Sequence, residues 1–543
     1  DLWRPVSVSD PRTGKTTVAY DDAGRVASVE DPSGYKVKYH YDETAGLPAA
    51  ETDSFGRSVR YGHDEAGRLV RVWGKSEEPR RYVRDDLGRI VEIHTFRGGS
   101  GWKENNWPDG DEGEPDVAKF EYEDGTGLLT ARTFPEGGIE RYRYDEAARL
   151  EKRVSARKIE GVFVETGYRY DPRTGDLTRI DYPEGDPAYD VSFERDRVGR
   201  PTGIADGLGT RRFEYVAGTA LPRSESIEGA LGMYDRTVRR IYKSDSRVSI
   251  EGRYAGFSID DDFGADIHYD EYGRIESVGF AADSLSGSVR YEYLENSDRV
   301  EKILYANDSG KTTISYADDR DLPDRIENKF DKRSVSQYDL IRDDLGRIVE
   351  VLESGEGPHE ASEAVFREAQ ESNAPWLTNP VPSGNGIEIL PEHREYEYDN
   401  AGNRLRTVQW DENADVFGYS DYDVDPGGQY ADIETRDPSD ALLEKHSLQY
   451  YDDGSLRYIR NQTDGSWTQY RYDAENRLVE VSPVEPSNGD PKLEFVYDYM
   501  NRRVKKSVSE RQNGAWKLRY ERKFVYDGWK LVEEIHQPAG AEP

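Results

Sequence analysis

Polar and apolar residues alternate in short runs along this chain. In Lys36 to Tyr41, the residues Val37, Tyr39 and Tyr41 share one face while Lys36, Lys38 and His40 share the other. That two-residue period is the mark of a half-buried β-strand. The alternation then breaks for a few residues and resumes, as in Leu69, Arg71 and Trp73. The breaks carry Asp, then Gly, then Arg. Asp bonds back to the backbone two residues on, and Gly supplies the left-handed conformation that closes a type I turn with a bulge. The pattern therefore predicts strand, tight turn, strand: a β-hairpin.

The hairpin recurs. The first four Tyr-Asp-like marks fall at Asp21, Asp42, Asp64 and Asp85, a period of 21 or 22 residues, and a fixed period of that size denotes a repeat array. Asp-x-x-Gly-Arg occurs at Asp21-Gly24-Arg25, Asp53-Gly56-Arg57, Asp64-Gly67-Arg68, Asp85-Gly88-Arg89, Asp196-Gly199-Arg200, Asp270-Gly273-Arg274 and Asp343-Gly346-Arg347. Composition alone accounts for about one such match or fewer. Arg84 to Glu92 and Arg342 to Glu350 both read RDDLGRIVE, which duplication explains better than convergence.

Exceptions to the Gly sharpen the expectation. Asn476, Asn501 and Asp298 stand in its place, and Asn and Asp tolerate a positive φ. Ala148 does not, so a different turn or local strain is predicted there. The Arg after each Gly is expected to bridge to the repeated Asp or to carbonyls near the turn. The recurrent Tyr20, Tyr41, Tyr144, Tyr170, Tyr269, Tyr398, Tyr472 and Tyr497 are expected to pack one repeat on the next.

Composition fits an all-β array: 38 Tyr and 9 Trp suit a pleated surface, and 51 Gly and 26 Pro punctuate it. At 543 residues the chain exceeds one ordinary core, but in an array each hairpin buries its face on its neighbours. The irregular stretch 97–115 reads as an exposed excursion. The expected organisation is a β array over 1–352, an insertion over 353–394 with a short helix near 360–371, and a second β array over 395–543. The chain opens at Asp1 in mid-pattern, which reads as a piece of something larger.

A formal charge of −35 argues against a nucleic-acid partner and against anionic membranes. With no Cys, thiolate metal sites and disulfides are excluded. No apolar stretch is long enough to span a membrane as a helix. Eight scattered His form no His-Glu-x-x-His, and there is no Gly-x-Ser-x-Gly elbow. No enzyme is predicted, and no cofactor beyond one candidate cation. Asp421, Asp423, Asp425 and Asp432 have the oxygen spacing of a calcium loop, although Pro426 replaces its Gly and the last ligand is Asp. A solvated acidic loop is the alternative. Asp260, Asp261, Asp262 and Asp266 form a second, less ordered acidic cluster. Trp102, Trp107 and Trp376, in the interruptions, are the candidate binding residues for a sugar or protein partner.

The units Tyr20-Asp21-Asp22-Ala23-Gly24-Arg25, Tyr269 to Arg274 and Tyr398 to Arg404 resemble those of the Rhs/YD-repeat family. The closing run, Tyr472 to Arg477, Phe495 to Asp498 and Lys523 to Val532, is similar to the approach to the Rhs-associated core. The resemblance implies a spiral sheet forming part of a hollow shell, as in Rhs effectors, the B and C components of insecticidal toxin complexes, and teneurins. It implies a secreted or cell-surface protein whose partner is a C-terminal effector outside this chain. The paired Asp-Pro-x-Gly motifs of the core are missing; Asp31-Pro32-Ser33-Gly34 lies among early repeats and reads as a hairpin turn. The function expected is a non-enzymatic shell or scaffold. Adhesion or carbohydrate binding to a surface glycan or protein is the alternative, and self-association into a fibre or tube the second.

Overall fold

The computed structural model describes residues 4–230, 233–243, 253–260, 263–282, 285–305, 310–318, 320–330, 333–355, 393–410, 415–425 and 427–540. These form 41 strands, from β1 (Ser7–Asp10) to β41 (Lys530–Pro538), and no helix among the described residues. The segment expected to hold a short helix, and Trp376, lie outside the described residues. All pairings are antiparallel and join strands adjacent in the chain, so the sheet is one uninterrupted meander with two open ends.

The hairpin turn is the predicted one. Between β2 (Gly14–Tyr20) and β3 (Val26–Glu30), the Gly24 amide donates to the Asp21 carbonyl at 2.8 Å and the Asp21 amide to the Arg25 carbonyl at 2.9 Å. Gly24 has φ +78° and the register slips by one residue at Tyr20, the type I turn with a bulge. Asn476 (φ 59°) and Asn501 (φ 63°) take the same conformation. Ala148 forms the same turn at φ 61°, so the departure there is strain and not a different turn. Asp298 does not occupy the left-handed position: the loop from Leu294 to Arg299 places Asn296 there, and the Ser297 hydroxyl accepts from the Arg299 amide in place of an Asp carboxylate.

The meander has two unlike edges. Every Tyr-Asp turn joins an even-numbered strand to the next odd-numbered one, so all of them line one edge of the sheet. Odd-to-even connections line the other, and the long excursion 97–114 belongs there. Asp53 to Arg57 has the repeat's letters and turn but joins β5 (Pro48–Asp53) to β6 (Ser58–His63), so it lies on the edge opposite the other six.

The meander winds back on itself. Side chains on the odd-to-even edge of the first circuit meet even-to-odd turns 287 to 327 residues later. Much of the core sits along this seam: Ile227, Tyr234, Val238 and Ile259 of the first circuit enclose Val525 of the second. A second apolar cluster lies where 97–114 folds back over the sheet. There Trp73, Phe96, Trp102 and Trp107 are buried together, with Trp102 and Trp107 rings 5.0 Å apart in an edge contact. The stretch expected to be an exposed excursion does keep most of its residues at the surface, but it folds as a cap over its two buried Trp. Its Trp102 Nε1 donates to the Gly98 carbonyl and Trp107 Nε1 to Glu112 Oε1, since a buried indole N–H needs a partner.

Candidate functional site

Each Tyr-Asp turn is built from three residues with linked duties. Asp21 accepts from the Arg25 amide through Oδ1 at 2.8 Å and from Arg25 Nε through Oδ2 at 2.7 Å. The same double grip occurs at Asp64–Arg68, Asp85–Arg89, Asp270–Arg274 and Asp343–Arg347. Bonds from the Arg amide, and then from its guanidinium, hold the Asp21 and Asp64 carboxyls below their ordinary value of 3.8.

The guanidinium then serves the next repeat. Arg25 lies 4.3 Å over the Tyr41 ring, and Tyr41 donates its hydroxyl to the Val26 carbonyl, the residue after that Arg. Arg274 with Tyr293 and Ile275, and Arg347 with Tyr398 and Ile348, repeat the arrangement. Repeats therefore interlock through a cation–π stack and a hydrogen bond to the same turn. The two copies of RDDLGRIVE are also equivalent in space: Arg84 and Arg342 each donate to the carbonyl of their own turn Gly, at 2.9 and 3.0 Å.

At the seam these turns do something more. Side chains of Asp473 and Asp498 are 1% and 0% exposed, against 24% for Asp21 and 25% for Asp64. Arg211 explains the difference at Asp498: it reaches from the first circuit to Asp498 at 3.5 Å while holding Asp206 of its own hairpin at 3.2 Å. Arg502 closes the network on Asp498 at 2.6 Å. Burial pushes the Asp206 carboxyl up despite Arg211, and pushes the neighbouring Tyr499 up to about 12. Arg157 is almost wholly enclosed; it donates to Asn476 Oδ1 at 3.0 Å and to the Asp473 carbonyl. Asp186 accepts from the Ala474 amide at 3.0 Å. Arg240 and Tyr254 together hold Asp527, at 2.5 and 2.6 Å. Arg97 donates to the Val424 carbonyl at 2.8 Å, and near the start Arg12 meets Asp298 at 3.2 Å. At Gly138 the backbone lies so close to the Asp452 carbonyl that a side chain has no room.

The candidate residues chosen from sequence fall elsewhere. Trp102 and Trp107 are buried in the cap and offer no exposed stacking face. Asp421, Asp423, Asp425 and Asp432 do not form a calcium loop. They lie on a hairpin of β32 (Val416–Val424) and β33 (Tyr430–Arg436), with Asp423 opposite Asp432. Asp421 is paired with Arg406 at 2.6 Å and Asp432 with Lys445 at 3.1 Å. Arg211, Arg157 and Arg240 went unnoticed because each is one Arg among many on an ordinary strand. Their partners lie a full circuit away, and no local signal marks them.

The family described as RHS Repeat matches residues 20–44 and 41–72, the segments whose turns and Tyr interlock are described above. The chain carries RHS repeats and resembles the RHS/YD-repeat family. This RHS-repeat chain is 24% identical over 97% of its length to the double-stranded DNA deaminase toxin A of Burkholderia cenocepacia, of which it spans 34%. Its fold is similar to the crystal structure of TcdB2-TccC3-Cdc42, with TM-score 0.65 and 12% identity over 97% of this chain and 29% of that one. It is also similar to the Tc holotoxin pore of Photorhabdus luminescens, with TM-score 0.55 and 12% identity over 96% of this chain and 31% of that one. The RHS-repeat chain thus spans about a third of the length of each relative.

Proposed function

We propose that this chain is a structural wall segment, two circuits of a shell that encloses an effector polypeptide carried by the same secreted protein. The observation that carries this reading is the seam. A sheet meant only to display loops has no need to bury Asp473, Asp498 and Arg211 between successive circuits, whereas a container needs its circuits closed against one another. Breaking such a pair leaves a buried charge without compensation, which costs about 3–5 kcal/mol, so the wall resists opening. The likeness of the fold to toxin-complex structures and the 24% identity to a toxin support the same reading. In this role the chain supplies no catalytic group; it excludes water and proteases from what it surrounds.

The test is cryo-electron microscopy of the natural full-length polypeptide together with limited proteolysis. The expected result is density within the wall and an enclosed segment that resists protease until Arg157→Ala and Arg211→Ala are introduced together. An empty interior, or a segment cleaved equally with and without these changes, overturns the proposal.

A further inference from the structure

Among the described residues, one group of side chains gathers as metal ligands do. Glu350, on β29 (Ile348–Ser354), and His393 and Glu395, on β30 (His393–Tyr398), bring one ligand atom each to within 4.8 Å of one another. The sheet dictates this convergence. Glu350 stands directly opposite Glu395, and His393 lies two residues before Glu395 on the same face. His393 Nε2 is 2.9 Å from Glu350 Oε1 and 3.5 Å from Glu395 Oε1. An ion with bonds of about 2.0–2.2 Å sets neighbouring ligands roughly 3.0–3.5 Å apart.

Three further observations point to a ligand and not to a self-contained ion pair. Nε2 is shut off from solvent, yet among the described residues it makes no hydrogen bond of acceptable geometry. Neither Glu350 nor Glu395 has an Arg or Lys ion-pair partner among the described residues, in a protein where most turn carboxylates have one. The imidazole is held flat against Trp410, with centroids 5.3 Å apart and planes at 13°, which fixes the direction of Nε2. His94 is the contrast: its two ring nitrogens are already engaged, by Arg81 at 3.0 Å and Glu92 at 2.8 Å.

We propose that Glu350, His393 and Glu395 bind a divalent first-row transition ion of the zinc class. Two carboxylates and a neutral imidazole balance its charge, and an imidazole ligand disfavours calcium, which takes oxygen. The site has a purpose in the fold. Among the described residues β29 and β30 pair through three positions, Glu350 with Glu395, Val351 with Arg394 and Leu352 with His393, and residues 355–392 connect them in the chain. Joining strands across so long a connection costs loop-closure entropy. An ion bound to two of those three pairs clamps the base of the excursion and keeps the meander continuous.

Isothermal titration of the metal-free protein with zinc chloride, with calcium chloride as control, reads the site directly. The absorption spectrum of the cobalt-substituted wild type reports imidazole and carboxylate ligation without any variant. The expected result is one zinc per chain, no calcium heat, and at least a tenfold loss of affinity in His393→Ala and Glu350→Gln but not in His94→Ala. Zinc is also expected to slow amide exchange in 350–354 and 393–398. Absence of binding, equal binding by His393→Ala, or an imidazolium ion pair with no metal dependence overturns the proposal.

Discussion

A single Ala shows how closely the turn's backbone follows from side-chain chemistry. Ala148 is held at φ 61°, where its neighbours in other repeats are Gly or Asn. A Cβ in that region costs about 1–2 kcal/mol, offset by about 0.4–1 kcal/mol of unfolded-state entropy when Gly is introduced. Ala148→Gly is therefore expected to stabilise the chain by about 0.5–1 kcal/mol, read as a higher denaturation midpoint. This residue's strain was legible in the sequence because the repeat supplied its own reference for the position. Asp298 was misplaced because counting back from Arg299 assumes a loop of fixed length, and this loop is closed by Ser297 instead.

At the scale of the hairpin, the Asp carboxylate is the group that titrates. Asp21 and Asp64 have folded values below 3.8, chiefly because the Arg amides donate to them. A carboxyl depressed on folding adds stability that is complete above its unfolded value and disappears as pH falls through the folded one. Protection of the Arg25 and Arg68 amides, corrected for the intrinsic pH dependence of exchange, is thus expected to decline below pH 3.8. Constant protection down to pH 2 removes the carboxylate from the account of the turn. Strand alternation, the turn and its Gly could all be read from residues within five positions of each other. The Tyr hydroxyl's destination could not, because it lies on the preceding repeat across the width of a strand pair. The buried Trp cap escaped for a related reason: Gly, Asn and acidic residues described the surface of 97–114 while its two Trp described the underside.

For the whole molecule, identical motifs have unequal worth. Asp498→Ala removes the close partner of buried Arg502 and one of the carboxylates of Arg211, and is expected to cost about 3–5 kcal/mol, whereas Asp64→Ala, at an exposed turn, costs less. Small-angle scattering separates them further: the first is expected to enlarge the radius of gyration as the circuits part, and the second to leave it unchanged. Equal effects deny the seam its role. Nothing near Asp498 in the sequence announces this, since its difference from Asp64 is set by Arg211, 287 residues away. That separation also makes the sheet a counting device. Each turn at the seam finds its counterpart by arc length, so gaining or losing one hairpin upstream of the seam shifts the phase of all later contacts by one notch. Repeat number within a circuit is consequently under tighter constraint than repeat sequence, and chains of this kind can lengthen safely only at the excursions or beyond their last engaged turn.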